Sequence, residues 1–525
     1  MTQPPPPPGF GPPQQPVPYG HPPPGGVLYG GPQPPPPGGR PRDGRRTRRL
    51  IVVAAVAAMA TIVGAGVWYS GARDGGGTTA AERPGDEAER PGGDGKNGDG
   101  APGGQGREKP PADTAARVAF TLPEPRVEDI TDVGGSWATD ELFVKPGIRS
   151  LAGYGPDGAA AWTLRLPGQV CAASRHQSAD GRTAVVFEAA PRAAPRFFQP
   201  CTEVGVVDLH TGELLWSASV TSTTGGDAKV AFAEVTQSGN TVAAGGTSGG
   251  AAFDLATGAV RWKPVVGSDN CYDRGYAGGP ALVAVRQCGE PSRPRLTVQR
   301  VDPAGGRPLV SYRLPDGADN ASVVSAEPLV VAADLGDTAG SAGFSDLFSV
   351  DGKGRQLARI SAAGETFAAE CGVTEVESCR GIAVGNGRVY LPTVEREGDS
   401  EPGFSNTNDL VSYDLATGKP TSDRLAAGDR HMIFPLRMDG GDVIAYRTPS
   451  YTAGGQVVSV DGATFAPTTL MRNPADRRTR EAESRFANAG DDILYHRGRL
   501  YLSATLMNKH TGQDKQLILA YTTAD

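Results

Sequence analysis

The 525-residue chain predicts an all-β protein, an eight-bladed β-propeller behind a disordered Pro-rich N-terminus and a single transmembrane helix. Three observations predict it: a strand–turn–strand phrase that recurs, a recurrence interval in the high forties, and a lone strand ahead of the first repeat. The phrase is VVDLHTGELLW at 206–216, repeated as FDLATGAVRW at 253–262 and in part as SYDLATGKP at 412–420. Its skeleton is an alternating apolar pair, Asp-x-x-Thr-Gly, and an apolar run that can end in Trp. Asp and Thr hydrogen-bond the turning backbone, Gly takes the left-handed position, and the next strand follows. One such turn is weak; recurrence signals a stacked supersecondary unit.

The interval is read from the aspartates. Asp157, Asp208, Asp254, Asp302 and Asp351 follow one another at 51, 46, 48 and 49 residues, and Asp414 and Asp461 are 47 apart. The step of 63 from Asp351 to Asp414 implies inserted loops. Such a period filled with short strands makes one four-stranded blade, its strands named a to d from the axis outward. In the third unit these are expected at 229–235, 241–247, 250–255 and 259–265. In the sixth, 388–395 is b and 410–415 is c. The last unit has b at 500–506 and c at 516–522, then ends without a d strand. The lone strand RVAFTL at 117–122 supplies it, closing the ring and removing an exposed edge. Counting d strands gives eight blades, or seven if one weak unit is not a blade.

Ahead of the propeller, residues 1–49 read as a cytoplasmic tail, Pro/Gly-rich and then Arg-rich. Its first 39 residues favour extended polyproline II, a passive arm or a ligand for a Pro-motif-binding partner. The basic block at 40–49 precedes LIVVAAVAAMATIVGAGVWY at 50–69, twenty uncharged residues. At ~1.5 Å each these span ~30 Å, a bilayer's hydrocarbon core. Arg on one side and Trp68-Tyr69 on the other orient the N-terminus inward. Cleavage after Ala72 is the alternative. Residues 70–116, rich in Gly and Pro, read as a flexible linker, leaving 117–525 as the propeller outside the membrane. The net charge is −7; six Arg against one Asp in residues 1–49 leave −12 on the remainder, which argues against a nucleic-acid partner.

The complete Asp-x-x-Thr-Gly-x-x-x-Trp phrase, at Asp208, Thr211, Gly212 and Trp216 and again at Asp254, Thr257, Gly258 and Trp262, resembles the repeat of the pyrroloquinoline-quinone (PQQ)-like β-propellers. That family includes quinoprotein alcohol dehydrogenases, outer-membrane assembly scaffolds and sensor domains of receptor kinases. Asp414, Thr417 and Gly418 match in part, with Ser422 at the Trp place; Asp302, Asp351 and Asp461 match poorly. The resemblance implies that each Trp wedges between blades. Its dehydrogenase branch uses an adjacent Cys-Cys pair and a calcium held by Glu, Asn and Asp. This chain has no adjacent cysteines. The pairs Asn408-Asp409 and Asp491-Asp492 read as solvated loop positions.

All six cysteines follow the apolar segment, an even number in an oxidising compartment. Fifteen connectivities are possible; placement on the blades favours Cys171–Cys201, Cys271–Cys288 and Cys371–Cys379. The histidines show no metal-ligand spacing, and no nucleophile elbow or phosphate loop is present, so neither cofactor nor metal is expected. The long insertions fall in b–c or d–a connections, which emerge on one face. Within them Arg192, Arg196, Phe197 and Phe198 are candidate contact residues, because Arg and aromatics dominate binding hot spots. Residues 472–485 read as a charged solvated segment. The expected function is a non-catalytic, membrane-anchored scaffold or sensor for a protein or small ligand; the alternative is a quinone-dependent dehydrogenase.

Overall fold

A computed structural model describes residues 106–523, apart from 194–197, 223–226, 247–248, 265–270, 291, 337, 363–365, 399–405, 487–490 and 510–514. Eight four-stranded antiparallel sheets follow one another, at 137–165, 170–218, 234–262, 272–313, 318–361, 383–426, 433–472 and 492–522. The eighth sheet is completed by Arg117–Pro123 as its outermost strand. There Arg117 faces Thr522, Thr121 faces Leu519 and Pro123 faces Gln516. The ring therefore has eight blades, closed by its two ends. Residues 50–69 lie outside the described part; among the described residues no helix is long and apolar enough to cross a membrane.

Strands form where apolar residues alternate or run together. Each middle pair of strands is buried on both faces, as in Thr241–Gly246 and Gly249–Asp254, which read TVAAGG and GGAAFD. Small residues there let neighbouring blades approach. The core lies between blades, with one cluster joining Phe120 of the closing strand to Tyr501, Leu519 and Tyr446.

The Asp turns explain the repeat. At the two full matches and the partial one the Asp carboxylate accepts backbone N–H groups two and three residues on: Asp208 from His210 and Thr211, Asp254 from Ala256 and Thr257, Asp414 from Ala416 and Thr417. Arg261 and Thr257 lower the Asp254 carboxyl to about 2. The Gly four residues on donates its N–H to the Asp carbonyl. The same turn forms at Asp461, where Thr464 keeps the Thr place and Phe465 takes the left-handed position at φ 59°. Poor sequence matches thus conceal good structural ones.

The tryptophans do wedge between blades. A Cβ on Gly258 would stand 2.7 Å from Trp216, and one on Gly306 2.6 Å from Trp262; Trp162 meets Gly212 in the same way. The Trp216 indole donates to the Leu255 carbonyl at 2.8 Å and that of Trp262 to Pro303 at 3.2 Å. Three consecutive blade junctions therefore share one lock, whose first Trp belongs to a turn, at Asp157, that lacks the Thr.

Several strands start or end a few residues from where the sequence put them, as at Val260–Trp262, Arg388–Pro392 and Arg499–Ser503, and two departures are larger. The third a strand is Glu234–Ser238 rather than 229–235. Val230 and Phe232 are buried in the preceding connection, their N–H groups donating to Val220 and Cys201. Residues 106–116, read as the end of the linker, lie against blades 7 and 8. The Glu108 side chain is 3% exposed and pairs with Arg437 at 2.6 Å.

Candidate functional site

The b–c and d–a connections emerge on one face of the ring, the loop face, and the short a–b and c–d turns on the other. The three disulfides of the structure join Cys171 to Cys201, Cys271 to Cys288 and Cys371 to Cys379. All six cysteines lie in loop-face connections or at strand ends beside them. Glu188 lies close to the first bridge, but sulfurs bonded to each other offer no thiolate to a metal. It accepts instead from Arg192 at 2.7 Å and from the Gln169 N–H at 3.1 Å.

Eleven large apolar side chains stand exposed among the described residues. Seven of them, Ile130, Ile148, Phe198, Val373, Val394, Tyr451 and Leu506, lie in loop-face connections. The other four, Val118, Val260, Leu309 and Leu357, sit on outermost strands. None lies in an a–b or c–d turn. Tyr451 is 83% and Phe198 70% exposed. Among the described residues, the turn face carries no exposed large apolar side chain.

Of the expected contact residues, Phe198 stands in the open, while Arg196 and Phe197 lie outside the described residues. Arg192 serves the fold instead: besides Glu188 it donates to the Ile130 carbonyl at 3.3 Å, tying blade 2 to the connection entering blade 1.

At the axis, the connection from blade 5 to blade 6 folds inward. Its tip, between Cys371 and Cys379, inserts among the inner strands. The Val376 N–H donates to Glu234 of blade 3 at 2.6 Å, and its carbonyl accepts from Val323 of blade 5 at 2.7 Å. Glu377 meets His176 of blade 2 at 2.6 Å and accepts from Thr236 of blade 3 at 2.6 Å. Arg175 donates to the Cys379 carbonyl at 2.6 Å, and Arg380 lies 3.8 Å from Asp492 of blade 8. Asp492 is held in turn by Lys145, whose side chain is fully buried, at 2.8 Å.

The carboxylates here differ by their surroundings. Burial pushes Glu234 up to about 8, opposed by the Val376 and Tyr276 N–H groups. Burial also works against charge on Glu377, but His176, Thr236 and Arg175 outweigh it and hold its carboxyl below the ordinary range. Burial, with the charge of Asp492, raises Asp491 to about 6.

Sequence reasoning missed this cluster, because its members come from six blades and no two share a motif. Asn408 and Asp409, read as solvated, are each 1% exposed. Asn408 bonds the backbone of Thr393 and Ile433, and Asp409 pairs with Arg396 and Arg424. The 472–485 segment holds a short helix, Arg477–Glu483, capped by Asp476. Its last residue, Glu483, is fully buried against Tyr446 and Gly455.

Ring, repeat turn and Trp lock together define the class: the chain carries a PQQ-like-repeat β-propeller. The family model described as outer membrane protein assembly factor BamB matches residues 136–309, which span blades 1 to 4. No curated protein matches the sequence. Among solved structures, the chain is similar to BamB from Moraxella catarrhalis, at 11% identity and TM-score 0.38, covering 77% of this chain and 99% of that one. It is also similar to the dihydro-heme d1 dehydrogenase NirN, at 10% identity and TM-score 0.36, covering 69% and 76%. The Swd1 propeller of Myceliophteria thermophila matches at 10% and 0.35, covering 61% and 95%. None of these three likenesses carries a functional argument.

Proposed function

We propose that the chain is a non-catalytic, protein-binding scaffold, anchored through residues 50–69 with its propeller outside the membrane. The observation that carries this reading is the confinement of exposed large apolar side chains, among the described residues, to the loop face and the outer strands, with none on the turn face. Three disulfides on the same face stiffen it, and rigid loops lose less entropy on binding. The match to an assembly-factor model over blades 1 to 4 agrees with a protein partner. The uncharged segment 50–69 behind an Arg block supports the anchor. For the quinone-dependent alternative we find no favouring feature; the chain's own 371–379 loop fills the loop-face end of the axis.

The test is a photo-crosslinking residue placed at Phe198 and, in a second strain, at Val260 of an outer strand. Capture of one protein from Phe198 alone, lost on Ile130→Ser plus Leu506→Ser, is the expected result. Identical capture from both positions would refute the loop-face reading.

A further inference from the structure

We propose that the Cys371–Cys379 loop is a stopper in the propeller axis whose seating is set by pH. Its contacts bridge inner strands on opposite sides of the ring, from blades 2, 3 and 5, and reach Asp492 of blade 8. It goes deep: Glu377 meets His176, the last residue but one of its strand, and approaches the N–H of Gly278 beyond the end of the blade 4 strand. A Cβ at Gly275 would collide with Glu234, so blade 4 leaves room for the carboxyl that holds the tip.

Two carboxyls from different elements thus meet in one enclosed place with unequal support. Glu377 has His176, Thr236 and Arg175 around it. Glu234 has only backbone N–H donors, from Tyr276, Val376 and Glu377, and no cation in direct contact appears among its bonds. The other charged groups facing the loop are Arg274 and Asp273 of blade 4, Asp491 and Asp492 of blade 8, and Lys145 and Asp132 beside blade 1. The loop itself adds Glu370, Glu375 and Arg380. Ionising Glu234 places a second negative charge beside Glu377, and the tip that Glu234 holds is expelled.

The sign follows from the shifts. Glu234, raised from 4.5 to about 8, favours seating fully below its ordinary value, and that support is lost as pH rises through about 8. Glu377, lowered, favours seating above 4.5 and loses it as pH falls. The stopper is tightest in mildly acidic solution and loosens on the alkaline side.

Amide hydrogen exchange of the full-length protein tests this, at about pH 5.5 and about pH 8.5, corrected for the intrinsic chemical rate. Protection of the Val376 amide should fall about tenfold or more at the higher pH. Protection of the amides of Arg388, Val389, Tyr390 and Leu391 in blade 6 should not change. Glu234→Gln should remove the pH dependence. Equal protection at both pH values in the wild type, or a fall that persists in Glu234→Gln, would overturn the proposal. If Glu234→Gln does not fold, the wild-type comparison decides alone.

Discussion

Glu377 Oε1 lies 2.6 Å from His176 Nε2, and that contact joins a connection leaving blade 5 to the innermost strand of blade 2. The two residues are 201 positions apart. Replacing Glu377 by Ala strips His176 and Thr236 of a shared partner, at a cost of about 1–3 kcal/mol. A double-mutant cycle with His176→Ala, read by urea denaturation, should return a coupling of about 1–2 kcal/mol. Additive losses would mean that the pair is not coupled.

Gly258 sits at φ +71° with Trp216 where its Cβ would be. Gly258→Ala therefore adds a clash to a backbone penalty and should destabilise by about 2–4 kcal/mol. Gly239, at φ +54° with open space around it, isolates the backbone part, and its Ala variant should lose only about 1 kcal/mol. Thermal or chemical unfolding of the two side by side separates strain from collision.

Glu483 is fully buried and accepts from the Tyr446 hydroxyl at 2.7 Å and the Gly455 N–H at 3.1 Å. Glu483→Ala should cost about 2–4 kcal/mol by orphaning those donors. Burial raises its carboxyl above 4.5, so its contribution is complete below that value and shrinks as pH rises through the shifted one. The gap between wild type and Glu483→Ala should therefore be wider in acid than in alkali, measured as the difference in denaturation midpoint.

Removing the closing strand bares the edge of Gln516–Thr522, whose Leu517, Ile518 and Leu519 are buried in the intact ring. A chain lacking residues 117–123 should associate through that edge. Size-exclusion chromatography against the intact chain decides it; a monomeric, folded product would show that closure is dispensable.

The architecture was legible because its cause is local. An Asp followed three residues later by Thr and then Gly writes a turn into eight or nine letters, and its repetition wrote the ring. The missing last strand could be inferred from RVAFTL, because an open edge demands a partner. Disulfide pairing followed from strand placement. The axial cluster was not legible. His176, Glu234, Val376 and Asp492 meet only because the ring closes, and nothing in their flanking residues announces it. Likewise Asn408 and Asp409 look like surface letters, yet the backbone of Thr393 and Ile433 holds the one and Arg396 and Arg424 the other. At Asp461 a Phe stands where Gly was expected, and the turn holds because Asp461 and Thr464 already bind its backbone.

Glu108 lies in the path of any pull transmitted along the chain toward the ring. It is gripped by Arg437 and by the Arg497 N–H, and its own N–H by Asp439. Tension arriving from the N-terminal side meets this clasp before it reaches Arg117. Behind it, Thr114 and Ala116 bond the backbone of Arg472; once both holds give, Arg117–Pro123 is drawn from one end, opposite Thr522, so its bonds break singly, like a zip fastener. The force that opens the ring is then met first outside the sheets, by a carboxylate and a backbone bridge that precede every blade in the chain.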